Sequence, residues 1–450
     1  MFGYYLRLAS LSFQRTPGLT SLMVLAIAAG ISVCVMSLTL YHAISGNPIW
    51  WKSNRLYTVT MDNWSPEEAH DTKYPDLPPP QVTYKDATYL AQSKIPEHKV
   101  IMFKSSGVVS GGDSAGGSQA EPYVAVTRVS MADFFTMFDV PFKYGRGWNA
   151  TADDGPEPVM VISQEINQKF FGGADSVGRT LRWNDREFRV IGVLEDWQPQ
   201  PKFYDLNNGA FDSPESVYLP WRWGETLEIE AHGNVNCWKP ENLETFKQFL
   251  GSECVWVQMW VELPDASSRD RMQTLLDSYW NQQRKLGRFP RKRDNRLTDV
   301  NQWLLDQHVV QSDNRVLVGL AFAFLAVCLI NTVGLLLAKF LNGAALAGVR
   351  RALGASRRAL FMQHMVEVGL IAASGAVLGL GLAWLGLSGV RALFATSRVF
   401  RRAGIESLAH VDAASLIFAI VLAIVATLAA GLYPAWRIGR VSPAVYLKNQ

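Results

Sequence analysis

Residues Gly348–Arg358 read GVRRALGASRR and lie between two long apolar stretches. Each stretch is about 25 residues long, which is enough for a helix to cross a bilayer. The segment contains no acid and four arginines: Arg350, Arg351, Arg357 and Arg358. Because basic residues beside membrane spans are retained on the cytoplasmic side, we expect a cytoplasmic loop. The helix-favouring residues before Gly354 predict a short basic helix that stops at this glycine.

The composition of the whole chain points to a membrane protein. The 450 residues are 48% hydrophobic, and the mean hydropathy is +0.04. This average combines uncharged runs near the N-terminus and in the last third with a polar middle rich in Trp and Pro. A membrane protein with a large soluble insert fits this distribution better than a globular enzyme. The net charge of +3, with scattered arginines, predicts no nucleic-acid partner.

The apolar runs predict a membrane α-helical protein with four transmembrane helices and a large α+β extracytoplasmic domain between the first and second helices. Residues 1–17 have apolar side chains at helical spacing and predict an amphipathic helix on the inner membrane surface. The other predicted segments, in chain order, are transmembrane helix 1 at 18–44, the periplasmic domain at 45–312, transmembrane helix 2 at 313–340, a cytoplasmic loop at 341–362, transmembrane helix 3 at 363–393, a periplasmic loop at 394–411, transmembrane helix 4 at 412–434 and a cytoplasmic tail at 435–450.

Basic residues at both ends of the chain place the N- and C-termini in the cytoplasm: Arg7, Arg15, Arg437 and Arg440. A cleaved signal peptide is the alternative for the first apolar run. That run extends from Leu19 to Ile44 and exceeds the roughly 7–15 residues of a signal peptide, so a retained anchor is favoured. The basic loop Arg391–Arg402 departs from the expectation for a loop outside the cytoplasm.

Local patterns predict individual elements of the insert. Ser163 is expected to cap a helix whose Ile166 and Phe170 share one face. Asn184-Asp185 suits a tight turn between two strands. The run Gly107–Ser118 predicts a flexible loop.

Three longer stretches complete the insert. The basic run Arg284–Arg296 is expected to be a solvated connection. Leu297–Asn314 predicts a helix that enters the second span without a flexible break, as a mechanical linkage requires. The aromatic run Trp197–Trp260 fits a hydrophobic ligand surface or ordinary core packing, and core packing is favoured.

The membrane segments also contain polar and small residues. Lys339 marks the cytoplasmic end of the second span. At the start of the third, His364 and Glu367 are expected to anchor the helix, to hydrogen-bond a neighbouring helix, or to transfer a proton. Five glycines of the third span allow close helix approach: Gly369, Gly375, Gly379, Gly381 and Gly386.

Three stretches carry a resemblance to a known family. They are GVRRALGA (Gly348–Ala355), the region 124–196 with VMVISQEINQKFFGG (Val159–Gly173) and a Val-Ile-Gly-Val ending, and GLYPAWR (Gly431–Arg437). The first resembles the coupling helix of the MacB/FtsX superfamily of ABC-transporter permeases. The second resembles the MacB-type periplasmic domain. The third resembles the C-terminal end of the family: Gly439 stands where a small residue is usual, whereas Tyr446 departs from the usual alanine.

The resemblance implies a permease subunit of an ABC transporter in the bacterial inner membrane. It implies a homo- or heterodimer of permeases with two copies of a separate ATPase that carries ATP and Mg, and export or efflux by mechanotransmission. A periplasmic adaptor and an outer-membrane channel are further implied partners. The implied ATPase-coupling residues are Val349, Arg350, Arg351, Ala352, Leu353, Gly354 and Ala355. A lipoprotein-releasing permease of the LolC/LolE kind and an FtsX-like regulator of a cell-wall hydrolase remain alternatives.

Other chemistry is not expected of this chain. Gly173–Thr180 nearly fits the phosphate loop, but it has Arg179 in place of lysine and follows a helix instead of a strand. We therefore expect no ATPase activity from the chain alone. The seven histidines have no metal-ligand spacing, so no metal site is predicted. If the insert is periplasmic, Cys237 and Cys254 could form a disulfide, although the sequence gives no distance between them.

Overall fold

The computed structural model describes residues 2–112, 121–291, 294–309 and 312–396, and, further along the chain, residues 421, 424–425, 427–429 and 431–437. The chain divides into two compact units. A helical unit contains Met1–Ser45, Gln311–Arg401 and Ile405–Gln450, and a sheet unit contains Gly46–Val310 and Arg402–Gly404. The long insert therefore forms a compact unit of its own.

Two helices begin the helical unit, α1 (Phe2–Arg15) and α2 (Pro17–Ser45). Pro17 is the first residue of α2, a position where the missing N–H has no helical partner to lose. On α1, Ala9 is buried whereas Arg7 is exposed. The helix therefore packs one face against the unit and turns the other outward, as its amphipathic pattern predicts.

The sheet unit is a mixture of strands and mostly short helices. In chain order they are β1 (Leu56–Thr60), β2 (Val82–Thr83), α3 (Tyr84–Leu90), β3 (His98–Gly111), β4 (Tyr123–Ser130), α4 (Asp133–Met137), β5 (Phe142–Gly145), α5 (Thr151–Asp154), β6 (Val159–Ile162), α6 (Gln164–Phe171), β7 (Thr180–Trp183), β8 (Arg186–Leu194), β9 (Val217–Pro220), α7 (Arg222–Thr226), α8 (Phe246–Leu250), β10 (Val255–Glu262), α9 (Ala266–Lys285), β11 (Arg296–Asp299) and α10 (Val300–Asp306), with a 3-10 helix at Phe203–Asn208.

Eleven strands of the described chain form one sheet in the order β11-β1-β10-β3-β4-β9-β6-β8-β5. Strand β2 pairs with β10, and β7 pairs with both β3 and β8. Most neighbours are antiparallel, but β4 and β9, and β6 and β8, run parallel. Hydrophobic cores cover both faces, so β10 is buried along its whole length, with Met259 in one core and Trp260 in the other. The unit is therefore an α+β fold.

Two short-range predictions in this unit are confirmed. The Ser163 side chain accepts a hydrogen bond from the Ile166 amide at 3.3 Å and caps α6, whose Phe170 is buried. Asn184 and Asp185 form the two-residue turn between β7 and β8, with φ of 46° and 65°. Asn and Asp tolerate such left-handed conformations well, which is why the sequence signal was specific.

The prediction of a flexible loop from Gly107 is wrong for its first five residues. Gly107–Gly111 belongs to β3 and pairs with β4 and, at its end, with β7. The Trp183 indole occupies the space that a Cβ on Gly107 would fill. This glycine therefore serves close packing and not flexibility. The remainder of the predicted loop, from residue 113 to 118, lies outside the described residues.

The prediction of one helix over Leu297–Asn314 is also wrong. Strand β11 begins that stretch and pairs with β1, and α10 follows it, capped by Asp299. The chain then turns at Gln307–Val309, where His308 has a φ of 50° and stacks on Tyr74 with ring centroids 3.6 Å apart. Pairing with a strand 240 residues earlier in the chain outweighs the local helical pattern.

Three more helices complete the described part of the helical unit: α11 (Ser312–Asn342), α12 (Ala344–Ala352) and α13 (Arg357–Thr396). In the described residues, three segments are long and apolar enough to cross a membrane: Pro17–Tyr41, Val316–Asn342 and Arg357–Gly389. The predicted fourth span, 412–434, lies largely outside the described residues, and those of its residues that are described are helical. Of the predicted loop 394–411 and tail 435–450, residues 397–411 and 438–450 also lie outside them.

Candidate functional site

The arginine-rich segment forms helix α12 between two helices of membrane-spanning length, α11 and α13. The helix ends at Ala352, and a compact turn follows. The Leu353 amide donates to the Val349 carbonyl at 3.0 Å, and the Ala355 amide donates to the Arg350 carbonyl at 3.0 Å. Gly354 has a φ of 102°, which a residue with a side chain rarely adopts. The turn reverses the chain directly into α13.

The outer face of this segment is apolar and basic. Val349 and Leu353 are 45% and 83% exposed, and they lie four residues apart, on one face of the helical turn. After the turn, Arg357 and Arg358 are exposed at the start of α13. A projecting leucine beside exposed arginines is suited to insertion into a groove with an acidic rim.

Arg350 points in another direction. Its Nη1 donates a hydrogen bond to Gln363 Oε1 of α13 at 2.8 Å. This bond ties α12 to the next helix, so a push on α12 reaches α13 through a side-chain contact as well as through the chain. The predicted coupling residues therefore divide into an exposed face, which includes Val349 and Leu353, and an internal anchor, Arg350.

A buried polar cluster lies at the same end of the helical unit. Lys339 Nζ of α11 is 2.7 Å from Glu367 Oε1 of α13 and donates to Thr20 Oγ1 of α2 at 3.0 Å. Ser12 Oγ of α1 donates to Glu367 Oε1 at 2.5 Å. Four helices thus share one ion pair. The sequence indicated Glu367 as polar at a span end, but it did not indicate that Lys339 is its partner.

Glycines allow α13 to approach α2 closely. A Cβ on Gly375 would lie 2.7 Å from Ile27 Cγ2, one on Gly379 would lie 2.8 Å from the Ala28 carbonyl oxygen, and one on Gly386 would lie 2.7 Å from Met36 Sδ. A Cβ on Gly381 would meet nothing within 4 Å. Glycine therefore sets the distance between the two helices at three of the five predicted positions.

The sheet unit contains a fully buried ionic network. The Arg128 guanidinium contacts both Asp205, at 2.5 Å, and Glu215, and Lys202 Nζ lies 3.2 Å from Glu215 Oε1. Burial alone would raise the pKa of Glu215, but the charge of Arg128 and then that of Lys202 outweigh it and hold this pKa far below its usual range. Tyr204 Oη donates to Glu215 Oε2 at 3.0 Å. The network joins β4 to the 3-10 helix and the loop before β9.

A second network corrects the prediction that Arg284–Arg296 is a solvated connection. Arg288 bonds Asp86 at 2.8 Å and Glu253 at 2.7 Å, and Lys85 also contacts Glu253 at 2.7 Å. Burial opposes ionisation of Glu253. Hydrogen bonds and charge from Arg288, followed by those from Lys85, prevail and lower the pKa of Glu253 to about 2. The run therefore fastens the end of α9 to α3 and to the start of β10.

The structure joins Cys237 to Cys254 in a disulfide, with their Cα atoms 4.2 Å apart. The bond crosses 17 residues of sequence and lies next to Glu253. The two other cysteines, Cys34 and Cys328, are buried in the helical unit as free thiols. Disulfides are stable in oxidising compartments, so this bond is the kind found in domains outside the cytoplasm.

The aromatic run that the sequence offered as a ligand surface or as core lies in the sheet unit. The tryptophans Trp223, Trp256 and Trp260 are buried in the two cores of the sheet unit. Their burial agrees with the interpretation favoured from the sequence, that these aromatic residues pack in a core.

The Gly173–Thr180 run follows α6 and leads into β7, an order opposite to that of a phosphate loop. The Arg179 guanidinium in this run lies over the Phe171 ring, 4.5 Å from its centroid. Within the described residues, no group of three or more His, Cys, Asp or Glu side chains could hold a metal ion.

Two family models match consecutive parts of the chain. The model of the MacB-like periplasmic core domain matches residues 20–279, more than half of the chain, and that of the FtsX-like permease C-terminal region matches residues 318–443. The chain belongs to the MacB/FtsX superfamily of ABC-transporter permeases. The resemblance seen in the sequence is confirmed. This permease is therefore a membrane protein of a family that works with an ATPase.

Relatives of this permease are distant. It is 21% identical to the uncharacterized ABC transporter permease YvrN of Bacillus subtilis over 377 residues, 81% of each chain. It is 22% identical to the pyoverdine export ATP-binding/permease protein PvdT of Pseudomonas syringae over 69% of its own length. The match covers 41% of PvdT, so this permease spans less than half of that relative.

A solved structure similar to this permease is the periplasmic region of MacB from Actinobacillus actinomycetemcomitans. The match covers 60% of this chain and 98% of that one, with 15% identity and a TM-score of 0.37.

Proposed function

We propose that this permease transmits motion from a separate ATPase, through α12, to the sheet unit on the far side of the bacterial inner membrane. The observation that carries the proposal is the exposed face of α12. Val349 projects from a short helix between two helices of membrane-spanning length, and Leu353 projects from the turn that ends it, while Arg350 fastens that helix to α13. A force on the exposed face would therefore move a spanning helix and not only a loop.

In this proposal, the energy comes from ATP hydrolysis by a separate protein and not by this chain. ATP and Mg would bind the partner ATPase, in two copies, and two permease subunits would form a homo- or heterodimer. The N- and C-termini and α12 face the cytoplasm because their flanks are basic. The Cys237–Cys254 disulfide supports a periplasmic sheet unit. A periplasmic adaptor and an outer-membrane channel would extend the path beyond the membrane.

Export or efflux is favoured over regulation of a cell-wall hydrolase because the sheet unit is large, extending from Gly46 to Val310. PvdT, to which the chain is similar, is named for export. The motion cannot follow one uninterrupted helix into the sheet unit, because the described chain turns at Gln307–Val309. We propose that it passes instead through α10 and β11, which pairs with β1.

Replacement of one residue tests the docking face. Leu353→Glu puts a charge on a side chain that is 83% exposed, so the fold is retained. We expect the partner ATPase to co-purify about thirtyfold less efficiently, the effect of losing one central apolar anchor. Val124→Glu, at a 68% exposed site of the sheet unit, is the matched control. Equal ATPase recovery with both variants would exclude α12 as the docking helix.

Cysteine labelling in intact cells tests the orientation. Leu353→Cys should be protected from a membrane-impermeant maleimide, and Val124→Cys should react with it. Both native cysteines outside the disulfide are buried, so they should react little with the maleimide and give little background labelling. Reaction of both introduced thiols from the same side of the membrane would contradict the proposed topology.

A further inference from the structure

A cavity of about 320 Å³ lies in the helical unit where α1, α11, α12 and α13 meet. It is at the end of two helices of spanning length, and such ends lie at the depth of lipid headgroups in either leaflet. The position alone does not select a ligand, but the charges that line the cavity do.

Three cations and one acid line the cavity: Arg15, Lys339, Arg350 and Glu367. Lys339 and Glu367 neutralise each other at 2.7 Å. The two arginines remain, and they give the cavity a formal charge of +2 when histidine is not counted. Arg15 is exposed, and its side chain makes no hydrogen bond or ion pair with another residue that the structure describes. Arg350 uses one of its five donors on Gln363.

His364, which lines the cavity, has a buried ring nitrogen without a hydrogen-bond partner among the residues that the structure describes. This nitrogen, Nδ1, is inaccessible to solvent. Its nearest carboxylate oxygen, Glu367 Oε2, is 3.6 Å away, which is too far for a hydrogen bond. Because this nitrogen faces Glu367 and has no accessible surface, a ligand in the cavity would be bound by the two arginines and not by His364.

Apolar residues form the remaining wall. Leu8 and Leu11 of α1, together with Phe340 and Leu360, line the cavity beside the arginines. Leu11 is 45% exposed and continues the apolar lining toward the outside of the unit. An anion with an attached hydrocarbon chain therefore fits this cavity better than a fully hydrated ion. Basic pockets between membrane helices commonly bind anionic headgroups.

We infer that this cavity binds the phosphate headgroup of an anionic phospholipid, with Arg15 and Arg350 as its cationic contacts. The acyl chains would lie along the apolar residues of α1. Because Arg350 also anchors α12 to α13, the bound headgroup connects the lipid composition of the membrane to the position of α12. The inference concerns the permease alone and does not depend on the proposed ATPase docking.

The test titrates the purified full-length permease, without ATPase, with phosphatidylglycerol or phosphatidylcholine and counts bound lipids by native mass spectrometry. Wild type should prefer phosphatidylglycerol. The double variant Arg15→Gln/Arg350→Gln should bind it about thirtyfold more weakly, and Arg15→Gln alone about fivefold more weakly. The single variant changes an exposed side chain, so its result stands even if the double variant fails to fold.

The matched control is Arg7→Gln/Arg357→Gln, which removes the same charge from two exposed arginines that do not line the cavity. It should bind phosphatidylglycerol as wild type does. Equal affinity in the control and in Arg15→Gln would overturn the inference, as would equal binding of both lipids by wild type. If inorganic phosphate displaces the bound lipid at moderate excess, the ligand is free phosphate and the lipid assignment is wrong.

Discussion

Lys339 Nζ and Glu367 Oε1 are 2.7 Å apart, and their side chains are each 4% exposed. The pair joins α11 to α13, and Ser12 and Thr20 bring α1 and α2 into contact with it. An ion pair in such a setting depends on both partners, because either charge alone would be buried without compensation.

The first prediction concerns this pair. Lys339→Met should destabilise the helical unit by roughly 3–5 kcal/mol, because it leaves Glu367 charged and without its main partner. The double variant Lys339→Met/Glu367→Met should recover most of that loss, since no buried charge remains. Thermal unfolding of the detergent-solubilised permease measures the stability of the single variant and of the double variant relative to wild type. A double variant less stable than the single one would mean that the pair itself is strongly stabilising.

The second prediction concerns helix packing. Gly379→Ala adds a methyl group 2.8 Å from the Ala28 carbonyl oxygen, whereas Gly381→Ala adds one where nothing lies within 4 Å. We expect Gly379→Ala to cost about 1–3 kcal/mol through overpacking. Gly381→Ala should be neutral or slightly stabilising, because alanine favours helix. Melting temperatures of the two variants are compared directly, and identical values would show that α13 does not approach α2 closely at Gly379.

The third prediction concerns the disulfide. The double variant Cys237→Ser/Cys254→Ser opens a loop of 17 residues and should destabilise the sheet unit by roughly 3 kcal/mol. Adding a reductant to wild type should lower its melting temperature to the same value. The reductant should leave the double variant unchanged, which provides the control. No shift on reduction of wild type would show that the two thiols are not bonded in the purified protein.

The fourth prediction concerns pH. The pKa of Glu253 is about 2 in the folded protein and 4.5 in an ordinary glutamate, so the unfolded chain binds this proton more readily. The resulting stabilisation is complete above pH 4.5 and is lost as the pH falls through about 2. It amounts to about 3 kcal/mol at most. Arg288 and Lys85 are the source of this effect.

The corresponding variant is Glu253→Gln. Near neutral pH it should lower the melting temperature of the sheet unit, and the difference from wild type should shrink as the pH falls from 4.5 toward 2. Glu244→Gln, at an exposed position of the same unit, is the control and should show no such convergence. A difference between Glu253→Gln and wild type that is constant with pH would contradict the ionic explanation.

Local signals account for the successful predictions. The cap at Ser163, the turn at Asn184-Asp185 and the stop of α12 before Gly354 each depend on a few adjacent residues and on the backbone conformations that those residues favour. The uncharged runs likewise predicted helices of spanning length. Such features need no knowledge of the rest of the chain.

The failures have a common physical cause. Gly107–Gly111 became a strand because Trp183 packs against Gly107, and Leu297 entered a strand because β1 was available to pair with it. Arg288 was interpreted as solvated, although its partners Asp86 and Glu253 lie far away in sequence. In each case a contact between distant residues decided the outcome.

The sequence by itself determined the family, the spanning helices and the basic helix between two of them, because hydrophobic length, charge and short motifs act locally. Only the tertiary structure decided which side of that helix is free. Arg350 turns inward to Gln363 while Leu353 remains 83% exposed, and Lys339 finds Glu367 on another helix. Two residues only three positions apart thus acquired different roles, because burial and partner distance depend on how the helices pack.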